Sequence, residues 1–389
     1  IEGMALAAYA IGSTKSYVYL RTSYELAYER LNKAIQDCKE AGLLGHDILG
    51  SGFNLSIQIK TGAGAFVCGE ETALINSIEG KRGIPRPRPP YPSQQGLFNK
   101  PTVINNVETL ANVPDIISRG ADEYRQTGTK DSPGTKVFAL SGKLEKSGLI
   151  EVPMGTTLRQ IIFDIAGGMK NGKSFKAAQI GGPSGSCLVE EHLDTPIDYD
   201  SLHQADAIMG SGGLVVVDED TCMVELSKYF IEFLQNASCG KCIPCREGTH
   251  RMWEILENIT QRPADGNHQS LDRFKGVMQM EDLGRVISET SLCGLGKTAP
   301  MPLLSAMKYF REEFEEHIYE RKCRANVCRG LRIYAIDPEA CTGCTLCAVK
   351  CPEEAIIGAA RHPHFIVEDK CTGCGICYEV CKFDAVLLK

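Results

Sequence analysis

The sequence predicts a multidomain protein of mixed α/β and α+β class with four consecutive folding units. Near its start, two strand-like segments, YVYLR at 17–21 and LSIQIKTG at 55–62, flank an amphipathic helical segment at 24–42. Helical periodicity dominates residues 221–317. In residues 335–389 the cysteine pattern that starts at Cys341 is repeated from Cys371. A chain of 389 residues is long enough to form several hydrophobic cores.

Composition narrows the function classes. The net charge of −7 argues against a general nucleic-acid scaffold, and no apolar run of 18 residues is present to span a membrane. Fifteen of the 18 cysteines lie at or beyond position 222, mostly in C-x-x-C groups. Disulfide-rich secreted domains are usually short, so this pattern favours metal binding in a reducing compartment. We therefore expect a cytoplasmic metalloprotein.

The first unit, residues 1–133, is predicted to contain a β-α-β arrangement. Its proline-dense stretch GIPRPRPPYP (83–92) cannot form a helix or a central strand, because proline lacks the amide donor that both require. We expect an extended surface loop there. A helical pattern is already under way at residue 1, so we expect the natural chain to begin further upstream.

The second and third units differ in their periodicity. Residues 134–220 carry short strand-like runs around one helical segment at 157–168, which predicts a β-grasp (SLBB-like) domain. Residues 221–317 predict a helical bundle. In its last segment the residues at positions i, i+4, i+7 and i+11 form one apolar face: Leu303, Met307, Phe310 and Phe314.

The fourth unit, residues 335–389, contains the pattern C-x2-C-x2-C-x3-C twice, as in bacterial two-cluster ferredoxins. In that pattern the fourth cysteine of each run ligates the other cluster. The pattern predicts a ferredoxin-like domain with two [4Fe–4S] clusters; zinc is the alternative metal. The predicted first tail quartet is Cys341, Cys344, Cys347 and Cys381. The predicted second tail quartet is Cys371, Cys374, Cys377 and Cys351.

A glycine-rich segment in the first unit, KTGAGAFVCGEE, is a candidate binding loop. Gly62, Gly64 and Gly69 would let backbone amides approach a phosphate or a flat ring, and Glu70 and Glu71 could bind hydroxyls or a cationic ring. Taken alone, the pattern is equally typical of a tight turn.

Residues 60–92, together with GLFNKPTVINNVETLANVP at 96–114, closely resemble the NADH-binding flavoprotein subunit of respiratory complex I. The same core occurs in NAD(P)-linked hydrogenases and formate dehydrogenases, and the resemblance extends over residues 1–317. It implies FMN, which takes hydride from NADH and releases electrons singly. The family's first glycine-rich loop lies upstream of these motifs.

The resemblance also implies individual roles. Glu71 would lie near the nicotinamide nucleotide as the candidate catalytic residue, and Tyr91 would stack on NADH. Asn105, Asn106 and Thr109 would contact the flavin phosphate and ribityl chain; a capped turn is the alternative for the two asparagines. The full implied set beside the flavin or dinucleotide is Gly62, Gly64, Phe66, Gly69, Glu70, Glu71, Tyr91, Asn105, Asn106, Thr109, Leu295 and Gly296.

A third cysteine triplet, SCGKCIPC at 238–245, shares the x2-x2 spacing of the tail but has no fourth cysteine nearby. The family resemblance implies a bundle quartet of Cys239, Cys242, Cys245 and Cys293, which holds one [4Fe–4S] cluster near the flavin. Cys293 follows only after the whole of 246–292, so a helical pair must run out and return. Leu295 and Gly296 would lead toward the flavin, and zinc is again the alternative metal.

Six further cysteines remain. Cys38, Cys68 and Cys187 are interpreted as packed thiols. The linker at 318–334 adjoins a candidate zinc group formed by Cys222, His317, Cys323 and Cys328, whose residue types suit a closed structural site. The alternative is that these residues are packed without a metal.

Together these features predict a diaphorase subunit that exchanges hydride with NAD(P)(H) at FMN and relays electrons through three [4Fe–4S] clusters. The tail disfavours complex I, so the resemblance favours the beta subunit of an electron-bifurcating [FeFe]-hydrogenase. The implied partners are a hydrogenase or formate dehydrogenase catalytic subunit, a small [2Fe–2S] thioredoxin-like subunit and ferredoxin, without nucleic acid. The alternatives are the NAD module of a formate dehydrogenase and a flavin-less relay or scaffold subunit.

Overall fold

The computed structural model describes residues 1–261 and 269–388. The first unit begins with helix α1 (Glu2–Ile11), strand β1 (Lys15–Arg21), helix α2 (Glu25–Glu40) and strand β2 (Ser56–Gly62). The two strands are parallel, with Lys15 opposite Ser56, so the predicted β-α-β arrangement is confirmed. The apolar faces of these elements share a small core of Ala8, Ile35, Leu44, Leu55 and Ile57.

Three helices complete the unit: α3 (Glu71–Ile78), α4 (Val107–Arg119) and α5 (Ala121–Tyr124). The stretch from 83 to 87 has no helix or strand, as its prolines predict. Helix α4 crosses α1 at Gly3, where an added Cβ would lie 1.9 Å from the carbonyl oxygen of Leu110. Only glycine therefore permits this close helix crossing.

The second unit contains a five-stranded mixed sheet and a short helix, α6 (Tyr199–Gln204). Its strands are β3 (Thr135–Gly142), β4 (Gly148–Pro153), β5 (Phe175–Ile180), β6 (Ser186–Leu188) and β7 (Gly213–Asp218). Their order in the sheet is β4-β3-β7-β5-β6. Strands β3 and β7 are parallel, while the other neighbouring pairs are antiparallel. The predicted helix at 157–168 contains a wide π-helical turn at Gln160–Ile165, which buries Ile161 and Ile162. The β-grasp (SLBB-like) assignment stays a prediction.

The third unit contains α7 (Met223–Ala237), α8 (Ile243–Thr260), α9 (Gln269–Thr290), α10 (Gly294–Thr298), α11 (Met301–Tyr309) and α12 (Arg311–Glu315). Leu303, Met307 and Phe314 are buried as predicted, and Phe310 packs beside them. The last predicted helix is not continuous, because Phe310 leaves the helical region (φ −128°, ψ 34°) between α11 and α12. Residues 262–268 of the predicted bundle lie outside the described residues.

The fourth unit consists of β8 (Tyr334–Ile336), α13 (Leu346–Lys350), β9 (Ile356–Ile357), β10 (Phe365–Ile366), α14 (Ile376–Val380) and β11 (Val386–Leu388). Helix α13 begins just before Cys347 and α14 just before Cys377, the equivalent cysteine of the second run, so the predicted repeat is a structural one. Strand β8 pairs with β11, and β9 pairs with β10, both antiparallel. Lys389 lies outside the described residues. Among the helices described, none combines the length and the apolar character needed to cross a membrane.

Candidate functional site

The bundle quartet is assembled by the starts of two helices. Cys242 is the N-cap of α8, Cys245 lies in its first turn, and Cys239 precedes both. Cys293 is the N-cap of α10, which α9 brings back to the start of α8. The triplet is local in sequence, whereas its fourth member arrives only through the packing of the helical pair.

The four thiols of the bundle quartet interact electrostatically. Burial, and then the charges of Cys242, Cys293 and Cys239, raise the pKa of Cys245 to about 11, although the Ser238 hydroxyl at 3.3 Å from its sulfur opposes this. Such thiols keep their protons unless a cation compensates the charge of the ionised sulfurs. The donor set therefore fits a metal cluster.

The bundle quartet lies against the glycine-rich loop. Cys239 and Leu295 pack on a small apolar cluster formed by Val67, Cys68 and Ala73. Backbone hydrogen bonds from Gly296 and Leu295 oppose the rise that burial causes in the pKa of Cys293. Leu295 thus lies beside both a cysteine of the bundle quartet and the glycine-rich loop. The predicted place of Leu295 and Gly296 beside the flavin stays a prediction.

Within the loop, the two glutamates have different tasks. The Glu70 carboxylate accepts hydrogen bonds from the backbone N–H groups of Thr72 and Ala73, both at 2.9 Å, and so caps helix α3. Glu70 is therefore committed to holding the loop. Gly69 is open, since an added Cβ would meet no atom within 4 Å. A ligand can approach the backbone on that side.

Glu71 pairs with Arg88 across the proline-rich loop, with Nη1 and Oε1 2.5 Å apart. Both side chains keep access to solvent, since Arg88 is 43% exposed and Glu71 34%. Tyr91, in the same loop, is 51% exposed. Arg88 is not among the residues predicted from the sequence, although its place between two prolines and close to Tyr91 is a usable signal.

The remaining predicted flavin contacts are only partly free. The Asn106 carboxamide oxygen accepts the backbone N–H of Thr109 at 2.7 Å and caps α4, so the capped-turn alternative holds for Asn106. Asn105 and Thr109 are exposed. Phe66 packs edge-to-face on Phe233 of α7, with ring centroids 5.6 Å apart, which joins the loop to the bundle.

Two cavities in the tail match the predicted quartets. One cavity is lined by all four members of the first tail quartet, and another by all four members of the second. Burial raises the pKa of Cys347, and it raises the pKa of Cys377 to about 11. Cys344 and Cys374 are exposed, so each cavity reaches the surface. The crossed ligation pattern of two-cluster ferredoxins therefore fits this geometry.

The spread of the sulfurs distinguishes clusters from single ions. Among the described residues, one group of metal-ligating side chains has all its donor atoms within 4.8 Å of one another. That group is not the bundle quartet or either tail quartet. Ligand atoms around one zinc ion lie about 3.8 Å apart for a tetrahedral site with Zn–S near 2.3 Å. The three quartets are too wide for that arrangement, which favours iron–sulfur clusters over the zinc alternative.

The compact group is the Cys3His group of Cys222, His317, Cys323 and Cys328, all buried. The sulfurs of Cys222 and Cys328 are 3.7 Å apart, and each is 3.4 Å from His317 Nε2. A tetrahedral zinc site requires about 3.8 Å between sulfurs and about 3.6 Å between sulfur and nitrogen. The sulfur separation is far too long for a disulfide, whose bond is about 2.05 Å.

Electrostatics also suit a cation in the Cys3His group. The Cys222 and Cys323 sulfurs push the pKa of Cys328 well above the usual range of a thiol. Hydrogen bonds from Cys222 and Cys328 hold the pKa of Cys323 well below that range. A divalent ion would replace the protons that otherwise keep neighbouring sulfurs neutral. His317 Nδ1 donates to the Glu313 carbonyl at 2.6 Å, which aims Nε2 at the sulfurs.

Three family models match the chain. Residues 1–115 match the Nuo51 FMN-binding domain, residues 225–317 the iron–sulfur binding region of NADH-ubiquinone oxidoreductase F, and residues 334–388 a 4Fe-4S dicluster domain. The chain is also 54% identical over 387 residues to the NADP-reducing hydrogenase subunit HndC of Solidesulfovibrio fructosivorans, covering 100% of this chain and 77% of that one.

The chain belongs to the F family of NADH-quinone oxidoreductases and NAD(P)-linked hydrogenases. A second relative, the F 2 protein of NADH-quinone oxidoreductase in Rhizobium meliloti, is 47% identical, and the match covers 83% of this chain and 75% of the relative. The crystal structure of an NAD+-reducing [NiFe]-hydrogenase superposes with a TM-score of 0.70 at 34% identity. That match covers 81% of this chain and 51% of the other, so the chain spans about half of the solved one.

As a member of this F family, the chain is an oxidoreductase subunit with FMN-binding and iron–sulfur domains. The glycine-rich loop belongs to the region that matches the FMN-binding domain, and the bundle quartet belongs to the region that matches the iron–sulfur binding region. The contact between them therefore joins these two matched regions.

Proposed function

We propose that this chain is the diaphorase subunit of a multi-subunit hydrogenase. It would exchange hydride with NAD(P)(H) at FMN and relay single electrons through three [4Fe–4S] clusters held by the bundle quartet and the two tail quartets. FMN supplies the conversion between two-electron and one-electron transfer. The observation that carries the proposal is the packing of Cys239 and Leu295 on the glycine-rich loop, because it joins the dinucleotide site to the first cluster.

The chain's own residues supply binding and orientation. Arg88 presents a guanidinium suited to the dinucleotide diphosphate, and the exposed ring of Tyr91 is available for stacking on a base or nicotinamide. Glu71 would lie near the nicotinamide nucleotide and is released for substrate contact when Arg88 turns to the diphosphate. Glu70 keeps the loop in place by capping α3.

The tail quartets are ordered by their neighbours. A Cβ on Gly373, within the second tail quartet's loop, would lie 2.7 Å from the carbonyl oxygen of Arg329. Gly330 in turn lies against the Thr260 carbonyl at the end of α8. The second tail quartet therefore adjoins the end of α8 that lies opposite to the bundle quartet. We assign it as the inner cluster of the tail, on the bundle side, and the first tail quartet as the outer one.

The Cys3His group would hold one structural zinc ion. It joins the first turn of the bundle, at Cys222, to the segment that leads into the tail, at Cys323 and Cys328. Because all four ligands are protein side chains, the ion would have no open position for chemistry.

A hydrogenase assembly is favoured over complex I by the extent of the matches. The hydrogenase subunit HndC matches 100% of this chain, whereas the Rhizobium meliloti F 2 protein matches 83%. The two tail clusters would give electrons a route out of the chain in addition to the one toward the catalytic subunit. We therefore assign ferredoxin as a partner and electron bifurcation as the reaction of the assembly. A [2Fe–2S] thioredoxin-like subunit and a catalytic hydrogenase subunit would complete it.

The test is anaerobic reduction of the purified complex by NADH and by NADPH. Bleaching of the flavin absorbance followed by cluster signals in electron paramagnetic resonance is expected. Flavin that is present but not bleached by either nucleotide would exclude the diaphorase function, and a fully iron-loaded chain without flavin would instead favour the relay alternative. Hydrogen evolution that needs both NADH and reduced ferredoxin would support bifurcation; evolution from NADH alone would exclude it.

A further inference from the structure

The loop between the first two members of the bundle quartet is tied to the proline-rich loop in both directions. The Arg82 guanidinium donates to the Cys239 carbonyl oxygen at 2.9 Å. The Lys241 ammonium donates to the Pro85 carbonyl oxygen at 2.7 Å. Each segment thus donates a hydrogen bond from one cationic side chain to a backbone carbonyl of the other. We call this pair of contacts the reciprocal clamp.

A third cation borders the same loop. Arg246 Nη1 donates to the Gly240 carbonyl oxygen at 2.7 Å. The loops of the tail quartets differ, since CTGCTLC and CTGCGIC contain no charged residue between their cysteines. Between its cysteines the loop of the bundle quartet thus carries one cation, Lys241, that the loops of the tail quartets lack, while Arg246 is itself paired with Glu247 at 2.7 Å.

The clamp is connected to the dinucleotide site by a stiff segment. Pro85 and Pro87 lie between Arg82 and Arg88 and restrict the backbone there. The pyrrolidine ring of proline holds φ at about −65°. Arg88 pairs with Glu71 at the candidate nucleotide site. Arg82, which contacts the Cys239 carbonyl, and Arg88, which pairs with Glu71, are thus the two ends of one short segment with a restricted backbone.

We propose that Arg82 and Lys241 are positioning residues for electron transfer from the flavin to the first cluster. The clamp holds the cluster loop at a set place against the nucleotide loop, and its two cations stabilise the reduced cluster. A cluster with four thiolates is an anion, and accepting one electron from the reduced flavin adds a further negative charge without making or breaking a bond. Nearby cations and hydrogen-bonded peptides favour that more negative state. The inference rests on the proposed assignment of the bundle quartet as cluster ligands.

The variants are Arg82→Gln, Lys241→Gln and the double variant, tested in the complete complex. The matched control is Lys81→Gln, which removes a cation one residue from Arg82 whose partner is Glu79 rather than the cluster loop. Arg82→Lys keeps the charge. Iron content, cluster midpoint potentials from redox titration followed by electron paramagnetic resonance, and the rate of flavin reduction by NADH are measured separately.

We expect unchanged iron and flavin reduction, with a bundle-cluster midpoint that falls in both glutamine variants. The equilibrium constant for its one-electron reduction should fall roughly three- to tenfold for each cation removed, because the groups are partly screened by water. The midpoint potentials of the tail clusters should stay unchanged in every variant, and that of the bundle cluster should stay unchanged in the Lys81→Gln control. Equal shifts in the control, or none in either variant, would overturn the inference. The inference would also be overturned if Arg82→Gln lost iron, Arg82→Lys restored it, and the bundle-cluster midpoint potential stayed unchanged in both variants. Absence of a bundle-cluster signal in the wild-type complex would instead refute the ligand assignment.

Discussion

Replacing Cys328 by serine should remove one zinc ion per chain and leave the iron content unchanged. Cys328 is 2% exposed, and its sulfur lies 3.7 Å from that of Cys222 and 3.4 Å from His317 Nε2. A serine hydroxyl is a poor ligand for zinc in a site built for thiolates. The three remaining donors would then be buried without the charge that balances them.

The expected loss of stability follows from binding linkage. A ligand present at 100 times its dissociation constant stabilises the native state by about 2.7 kcal/mol. For a folding unit of roughly 150–250 residues, about 1 kcal/mol corresponds to roughly 2–4 °C in thermal midpoint, so the loss of zinc should lower the midpoint by roughly 5–11 °C. A chelator should reproduce this shift in the wild-type protein and have no further effect on Cys328→Ser.

Cys187→Ser is the matched control. Cys187 is equally buried at 3%, but its sulfur contacts Gln179 rather than a metal-ligand group. It should keep its zinc and its sensitivity to the chelator. Elemental analysis and thermal melting provide the two readouts. Zinc-free wild-type protein with a full iron content, or Cys328→Ser that retains zinc, would refute the reasoning.

Three further outcomes are expected. Cys293→Ser should lower the iron content by about one third and abolish the bundle-cluster resonance while the tail signals remain; unchanged iron would contradict the bundle quartet. Glu313→Leu should destabilise the protein by about 3–5 kcal/mol, because Lys176, 11% exposed, loses the carboxylate 2.6 Å away and the Met223 N–H loses its acceptor. Adding Lys176→Met should restore part of the thermal midpoint. Failure of the second change to restore it would argue against this pairing as the cause. Arg88→Gln should change stability by less than about 1 kcal/mol, since its pair with Glu71 is exposed, yet raise the KM for the dinucleotide roughly tenfold or more. An unchanged KM would remove Arg88 from the site.

Local patterns in the sequence predicted most of the fold. The alternation of 55–62 and the periodicity of 24–42 produce β2 and α2, because burial of one face decides each element within a few residues. Strands β5 and β6 have weak local signals, since FKAAQI has little apolar alternation and β6 spans only Ser186–Leu188. Their pairing with β7 and with each other comes from tertiary contacts rather than from local preference.

The same distinction applies to the break at Phe310. An apolar stripe continues through 303–314, and nothing in the local sequence indicates a stop. Packing nevertheless takes the chain out of the helix at that residue, with Leu303, Met307 and Phe314 still buried. Hydrophobic periodicity identifies the buried face but does not determine whether the helix axis is continuous.

At the candidate site, local sequence is enough to provide the thiol side chains and the three corners that each triplet can offer. The x2-x2 spacing is local, because one short loop and the first turn of a helix are enough to arrange three sulfurs. Tertiary structure decided where those corners lie. The contacts from Arg82 to Cys239 and from Lys241 to Pro85 join residues 157 and 156 positions apart, respectively. No local pattern specifies contacts at such separations, which arise only when the packed loop and bundle bring the two backbones together.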